Sequence, residues 1–167
     1  MIDAAWRSCA GSLVALGLVG CGGPPAPARP LGPPLDAVWP ALDGGEVRLS
    51  ELRDQRVVIH VFTTSSTAAA LDEPALAEAA ARPDVAVVGL ALDREGYALV
   101  APWRKGADVR YLVALGTEAD WSGAGPLGPI RQIPTTVVLD GAGREVARLE
   151  HPVSSADLTR ALARAIP

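Results

Sequence analysis

Residues 56–76 read RVVIHVFTTSSTAAALDEPAL. Within them VVIHVF, 57–62, is a near-continuous apolar run. A half-buried strand would alternate, so this pattern predicts a strand covered on both faces. It ends in a cluster of small hydroxyl side chains. The segment that follows, AAALDEPALAEAAA at 68–81, is rich in helix formers, and Pro74 is expected to kink it. Strand-to-helix junctions of α/β proteins carry much of their chemistry. The question for this chain is what Ser65, Ser66, Thr67 and Ala68 can do there.

Working outward, VAVVGLAL (85–92) predicts a second buried strand, YALVAPWRKG (97–106) a helix and VRYLVAL (109–115) a third strand. GTEADWSGAGPLGPIRQ, 116–132, reads as irregular. IPTTVVLDGAGREVARLE, 133–150, is a strand, a Gly-rich turn and a strand. Upstream, Asp43-Gly44-Gly45 lies between two short apolar segments and predicts another hairpin. SSADLTRALARAI closes the chain as an amphipathic helix. Ser154 or Ser155 is its cap, Asp157 lies in its first turn, and Leu158, Leu162 and Ile166 share one face. Strands joined by helices imply parallel pairing, and the late hairpin adds antiparallel edges. The expected class is three-layer α/β/α with a mixed central sheet, helices on both faces and an N-terminal β-hairpin.

The N-terminus has a different character. Arg7 precedes an uncharged run, Ser8 to Gly20, within MIDAAWRSCAGSLVALGLVGCGG. The run is shorter than the ~20 apolar residues of a bilayer span and fits the hydrophobic part of a secretory signal. Its end, Leu18-Val19-Gly20-Cys21, resembles the bacterial lipobox, which implies cleavage before Cys21 and lipid on its sulfur. GGPPAPARPLGPP, 22–34, reads as an extended spacer. The expected organisation is therefore a signal peptide over 1–20, a tether over 21–34 and one domain over 35–167. Cysteine occurs only at 9 and 21, so that domain has no thiol. A net charge of −4 argues against a nucleic-acid partner.

The element order, with IPTTVVLD before the DGAGREV turn, resembles the thioredoxin-like superfamily, and more narrowly its TlpA-like and redoxin (AhpC/TSA) branch. LDGGEVRLSEL, VVIHVF, Pro74 and Ile133-Pro134-Thr135 carry the resemblance across residues 35–166. It implies a cis Ile133–Pro134 bond and a loop whose backbone pairs with an extended peptide, which makes Ile133, Pro134 and Thr135 candidate binding residues. The family pattern F-W-A-x-W-C-x-x-C-x-x-E-x-P is broken here. Counting from Phe62 puts the two cysteines at Thr67 and Ala70; counting from Pro74 puts them at Ser66 and Ala69. Neither register holds sulfur.

Thiol–disulfide exchange needs a thiolate, which a Ser or Thr hydroxyl cannot replace. Acyl transfer from Ser66 or Thr67 would need a positioned base, and the sequence offers only His60, assigned to the sheet, and His151, past the last hairpin. Metal binding is not expected from two histidines and scattered carboxylates, and no cofactor is expected. Trp39, Trp103 and Trp121 read as packing aromatics. The expected protein is an envelope-anchored lipoprotein facing the periplasm, more in keeping with the outer than the inner membrane. Its Cys-less site would bind an extended peptide or envelope protein, or serve as an assembly module, without catalysis. The alternative is a thiol–disulfide oxidoreductase or peroxiredoxin-like redoxin, which would require Cys21 as a free thiol or a partner's sulfur.

Overall fold

The computed structural model describes residues 31–165. The expected signal segment and Cys21, most of the tether, and Ile166 lie outside these residues. Two short strands, β1 (Val38–Pro40) and β2 (Glu46–Arg48), pair antiparallel around the Asp43-Gly44-Gly45 turn. A 3₁₀ turn over Leu49–Leu52 leads to β3 (Arg56–Phe62). Then follow α1 (Thr67–Ala70), α2 (Glu73–Ala80), β4 (Val85–Ala91), α3 (Tyr97–Gly106), β5 (Leu112–Leu115), α4 (Glu118–Ser122), β6 (Thr135–Leu139), β7 (Glu145–Leu149) and α5 (Ser155–Leu162).

The central sheet has the order β5-β4-β3-β6-β7. β3 is parallel to β4, and β4 to β5, while β6 runs antiparallel to both β3 and β7. The near-continuous apolar run at residues 57–62 is explained by this central position. Val58, His60 and Phe62 enter one half of the core and Val57, Ile59 and Val61 the other, all at most 2 % exposed. The half under Val58 is closed by α2 (Leu76), α3 (Val100) and α5 (Leu158, Leu162). Right-handed crossovers from β3 to β4 and from β4 to β5 would place α2 and α3 on one face, as observed. The opposite half is closed by Trp39, Val47, Leu49 and Leu127. Helices thus lie on both faces, but unequally, since the second face has only α4, the hairpin and the 3₁₀ turn. The hairpin forms its own sheet, packs on the central one through Trp39 and Val47, and is joined to it by a bridge from Ala41 to Ala114.

Three local differences from the sequence expectation have physical causes. Pro74 does not kink one helix; the chain breaks at Leu71-Asp72, and Pro74 takes the first turn of α2, where its missing N–H has no helical partner to lose. The third strand begins at Leu112 rather than Val109, since pairing with β4 starts only at Leu112; Val109 and Tyr111 are buried ahead of it. Gly89 interrupts a strand of β-branched residues for lack of space. A Cβ there would lie 3.1 Å from the Tyr111 ring and 3.2 Å from the Phe62 ring.

The third difference is α4, inside the stretch read as irregular. Thr117-x-x-Asp120 is a capping sequence. The Thr117 amide and hydroxyl donate to Asp120 Oδ2 at 2.8 and 2.7 Å, and the buried Trp39 indole donates to the same oxygen at 3.0 Å. Asp120 therefore ties α4 to the hairpin. Asp120→Ala would strand buried donors, so a loss of about 2–4 kcal/mol is expected in urea unfolding, with Asp120→Asn recovering part of it.

Candidate functional site

The carboxyl ends of β3, β4 and β5 and the start of β6 meet at one edge of the sheet, the usual place for ligands in α/β folds. Asp93, just past β4, holds the loop after β3. The Thr64 amide donates to its two oxygens at 3.1 and 3.0 Å, and the Thr64 hydroxyl donates at 2.7 Å. The Ser66 amide donates to Thr63 O, closing a turn that aims the chain into α1. Ser66 is the N-cap, with φ −81° and ψ 108°, and its Oγ accepts the Ala69 amide at 3.2 Å. A small hydroxyl residue suits this place because it satisfies a helix-end donor within the same turn. Ser65, Thr67 and Ala70 are exposed, Ser66 is half-buried and Ala69 is buried.

Across the sheet, the Ile133–Pro134 bond is cis. Val61 pairs with Thr135, so Pro134 lies one step on, opposite Phe62. Pro134 and Thr135 are buried and Ile133 is half-buried, with its side chain against the hairpin half of the core. The Thr135 hydroxyl donates to Gln132 O at 2.6 Å. Among the described residues the Ile133 amide and carbonyl make no backbone hydrogen bond. The structure thus brings Ser66, Ala69 and the 133–135 segment to one end of the sheet. Of the tryptophans, Trp39 is buried and Trp103 is half-buried against the core, 4.5 Å from the Phe62 ring. Trp121 lies under the Arg94 guanidinium, 5.2 Å from its ring centre.

The core also holds a buried polar group whose pairing sequence reading missed. His60 and Asp72 are both 0 % exposed. His60 Nδ1 is 3.0 Å from the Thr136 hydroxyl, and Nε2 is 3.8 Å from Asp72 Oδ2. Asp72 Oδ1 accepts the Val153 amide at 2.8 Å. Thr136 and Asp72 thus flank the imidazole on either side. Burial pushes the His60 pKa down to about 4 and the Asp72 pKa up to about 6, the latter partly offset by the Val153 amide and the nearby charge of His151. Glu73 adjoins this group. It accepts the Tyr111 hydroxyl at 2.8 and 2.9 Å, and burial raises its pKa. Asp72 had a sequence signal. Counting back from Pro74, it falls at the Glu position of the family pattern. His60, Thr136 and Tyr111 had none, since each is an unremarkable strand or loop residue until the register pairs them.

This arrangement does not activate a hydroxyl. A general base must reach the proton it removes, but His60 is sealed with both nitrogens turned to Thr136 and Asp72. His151 is exposed beyond β7, its Nδ1 2.7 Å from Pro152 O. Among the described residues no group of three or more His, Cys, Asp or Glu side chains is gathered to hold a metal.

No protein-family model matches the chain, and no curated protein matches it. Solved structures do. A thiol:disulfide interchange protein of the thioredoxin family from Chlorobium tepidum TLS superposes with a TM-score of 0.69 at 22% identity, covering 82% of this chain and 97% of that one. A DsbF homologue from Corynebacterium diphtheriae gives 0.67 at 20% identity, covering 80% and 86%. A secreted thiol-disulfide isomerase from Corynebacterium glutamicum gives 0.68 at 21% identity, covering 78% and 83%. The fold is therefore thioredoxin-like, with an N-terminal hairpin beside a mixed five-stranded sheet.

Proposed function

We propose that this chain is a lipid-anchored envelope protein whose thioredoxin-like domain binds an extended peptide or a partner protein and does not exchange disulfides. The observation that carries the reading is at Ser66. In the register counted from Pro74, the place of the first redox sulfur holds a hydroxyl already engaged as a helix cap, and Ala69 takes the place of the second. The register counted from Phe62 puts Thr67 and Ala70 there, equally without sulfur. Cysteine is absent from 22 to 167. The backbone groups of Ile133, without intramolecular partners among the described residues, support strand-like pairing with a peptide. The similar structures named as secreted or interchange proteins support an envelope setting, as does the lipobox-like Leu18–Cys21.

Two measurements on the full chain test this. With dithiothreitol and a disulfide reporter, the reduction rate is expected to equal the blank; turnover would overturn the non-catalytic reading. An extended reporter peptide is expected to shift the Ile133 and Thr135 amide resonances, and unchanged resonances across a peptide library would count against the binding edge.

The names of the similar structures favour a second reading, a thiol–disulfide oxidoreductase. That reading needs a free thiol at Cys21 or a sulfur supplied by a partner. A diacylglycerol adduct on Cys21, read by mass spectrometry, closes the first of these routes.

A further inference from the structure

A cavity of about 660 Å³ lies away from Ser66 and Ile133. It opens between α2 and the link from α3 to β5, with Ala77, Ala80 and Ala81 as one wall, Val87 as floor and Val109 and Tyr111 opposite. Its size falls in the range of small-molecule sites, which are mostly apolar with a few placed polar groups. Here the lining is apolar except at two places. At the rim, Asp108 and Arg110 pair with each other at 2.9 Å, their side chains 79 % and 85 % exposed. Inside, the half-buried Glu73 carboxylate receives one hydroxyl, from Tyr111. Among the described residues Glu73 makes no ion pair. A carboxylate can accept about four hydrogen bonds, so among the described residues most of the capacity of this cavity-lining group is unused.

We propose that this cavity binds a small amphiphile with a single ammonium group on an apolar body, an alkyl or arylalkyl amine, with Glu73 as its counter-ion. An anionic head would be repelled by Glu73 and by Asp72 directly before it in the chain. A neutral apolar ligand would leave Glu73 desolvated with no compensating donor, whereas an ammonium supplies three. Burial and the neighbouring Asp72 charge already raise the Glu73 pKa, which a bound cation would reverse. The site is separate from the peptide-binding reading, because no residue from 133 to 135 lines it.

The test uses the full chain and three probes of equal length: n-hexylammonium, n-hexanol and hexanoate, each titrated by calorimetry near pH 7.5. Hexylammonium is expected to bind, and more tightly than either other probe. Glu73→Gln keeps the shape and the Tyr111 contact; it is expected to weaken hexylammonium about 10- to 100-fold, the usual weight of a charge-assisted hydrogen bond, and leave hexanol unchanged. Ala77→Trp, at an exposed α2 position, is expected to fill the cavity and abolish binding with the unfolding midpoint preserved. The proposal is overturned if hexylammonium binds no better than hexanol, or if its affinity survives either substitution.

Discussion

Replacing Ser66 and Ala69 together by cysteine is expected to turn a chain inert toward disulfides into one that reduces them. The two positions are three residues apart across one helical turn, which places their Cα atoms about 5–6 Å apart, within disulfide reach. Ser66 is half-buried and open to attack a substrate, while Ala69 is buried behind it, suited to resolving the mixed disulfide. The Ala69 amide that now donates to Ser66 Oγ would donate to a thiolate and favour the reactive form. The expected result is loss of free thiol on oxidation and a reporter reduction rate more than about tenfold above the unaltered chain, since only a thiolate attacks sulfur. Thr67→Cys with Ala70→Cys, both at exposed positions, is the control for the other register and is expected to stay near background. If neither pair reduces the reporter, the site is not a redox scaffold lacking its sulfur.

The second large effect concerns pH and the His60–Asp72 pair. Asp72 keeps its proton up to about pH 6 in the folded state but loses it near its ordinary 3.8 when unfolded. Its burial therefore costs nothing below 3.8 and its full amount above about 6. His60 has the opposite sign. It protonates near 6.5 when unfolded and only near 4 when folded, so its cost is absent above 6.5 and complete below about 4. Between pH 4 and 6 the folded pair holds one proton, on Asp72, and the unfolded pair holds one, on His60. By linkage the two slopes cancel, and this pair makes stability nearly independent of pH there. Breaking the pair exposes each slope. His60→Asn is expected to lose about 2–3 kcal/mol of stability as pH rises from 4 to 6, and Asp72→Asn about as much as pH falls from 6.5 to 4. Glu73 and His151 are the other titratable groups beside Asp72, and both remain in either variant. Urea unfolding across pH 4–6.5 reads both slopes, and parallel curves for the two variants would show that the pair does not share a proton.

Much of the fold was legible along the chain because apolar periodicity reports how many faces an element buries. Residues 57–62 needed two covers and lie at the sheet centre; Leu158 and Leu162 needed one and lie on a single helix face. Turn chemistry was equally local: Gly44 and Gly45 have φ of 92° and 77°, and Gly143 has φ 79° in the Asp140–Arg144 turn. Capping was less visible. Thr117-x-x-Asp120 lies among glycines and prolines, and its signal is legible only once Trp39 is seen to share the carboxylate.

The absence of sulfur from the candidate site was decided by the sequence alone, since composition cannot be altered by folding. Only the tertiary structure decided what stands there instead. Register against β6 placed Thr136 beside His60, and the break before Pro74 turned Asp72 inward, 3.8 Å from the same ring. The α3–β5 link opened a cavity under Glu73. Such pairings join residues dozens of positions apart through strand register and helix docking, and no local pattern of hydrophobicity or turn residues encodes either.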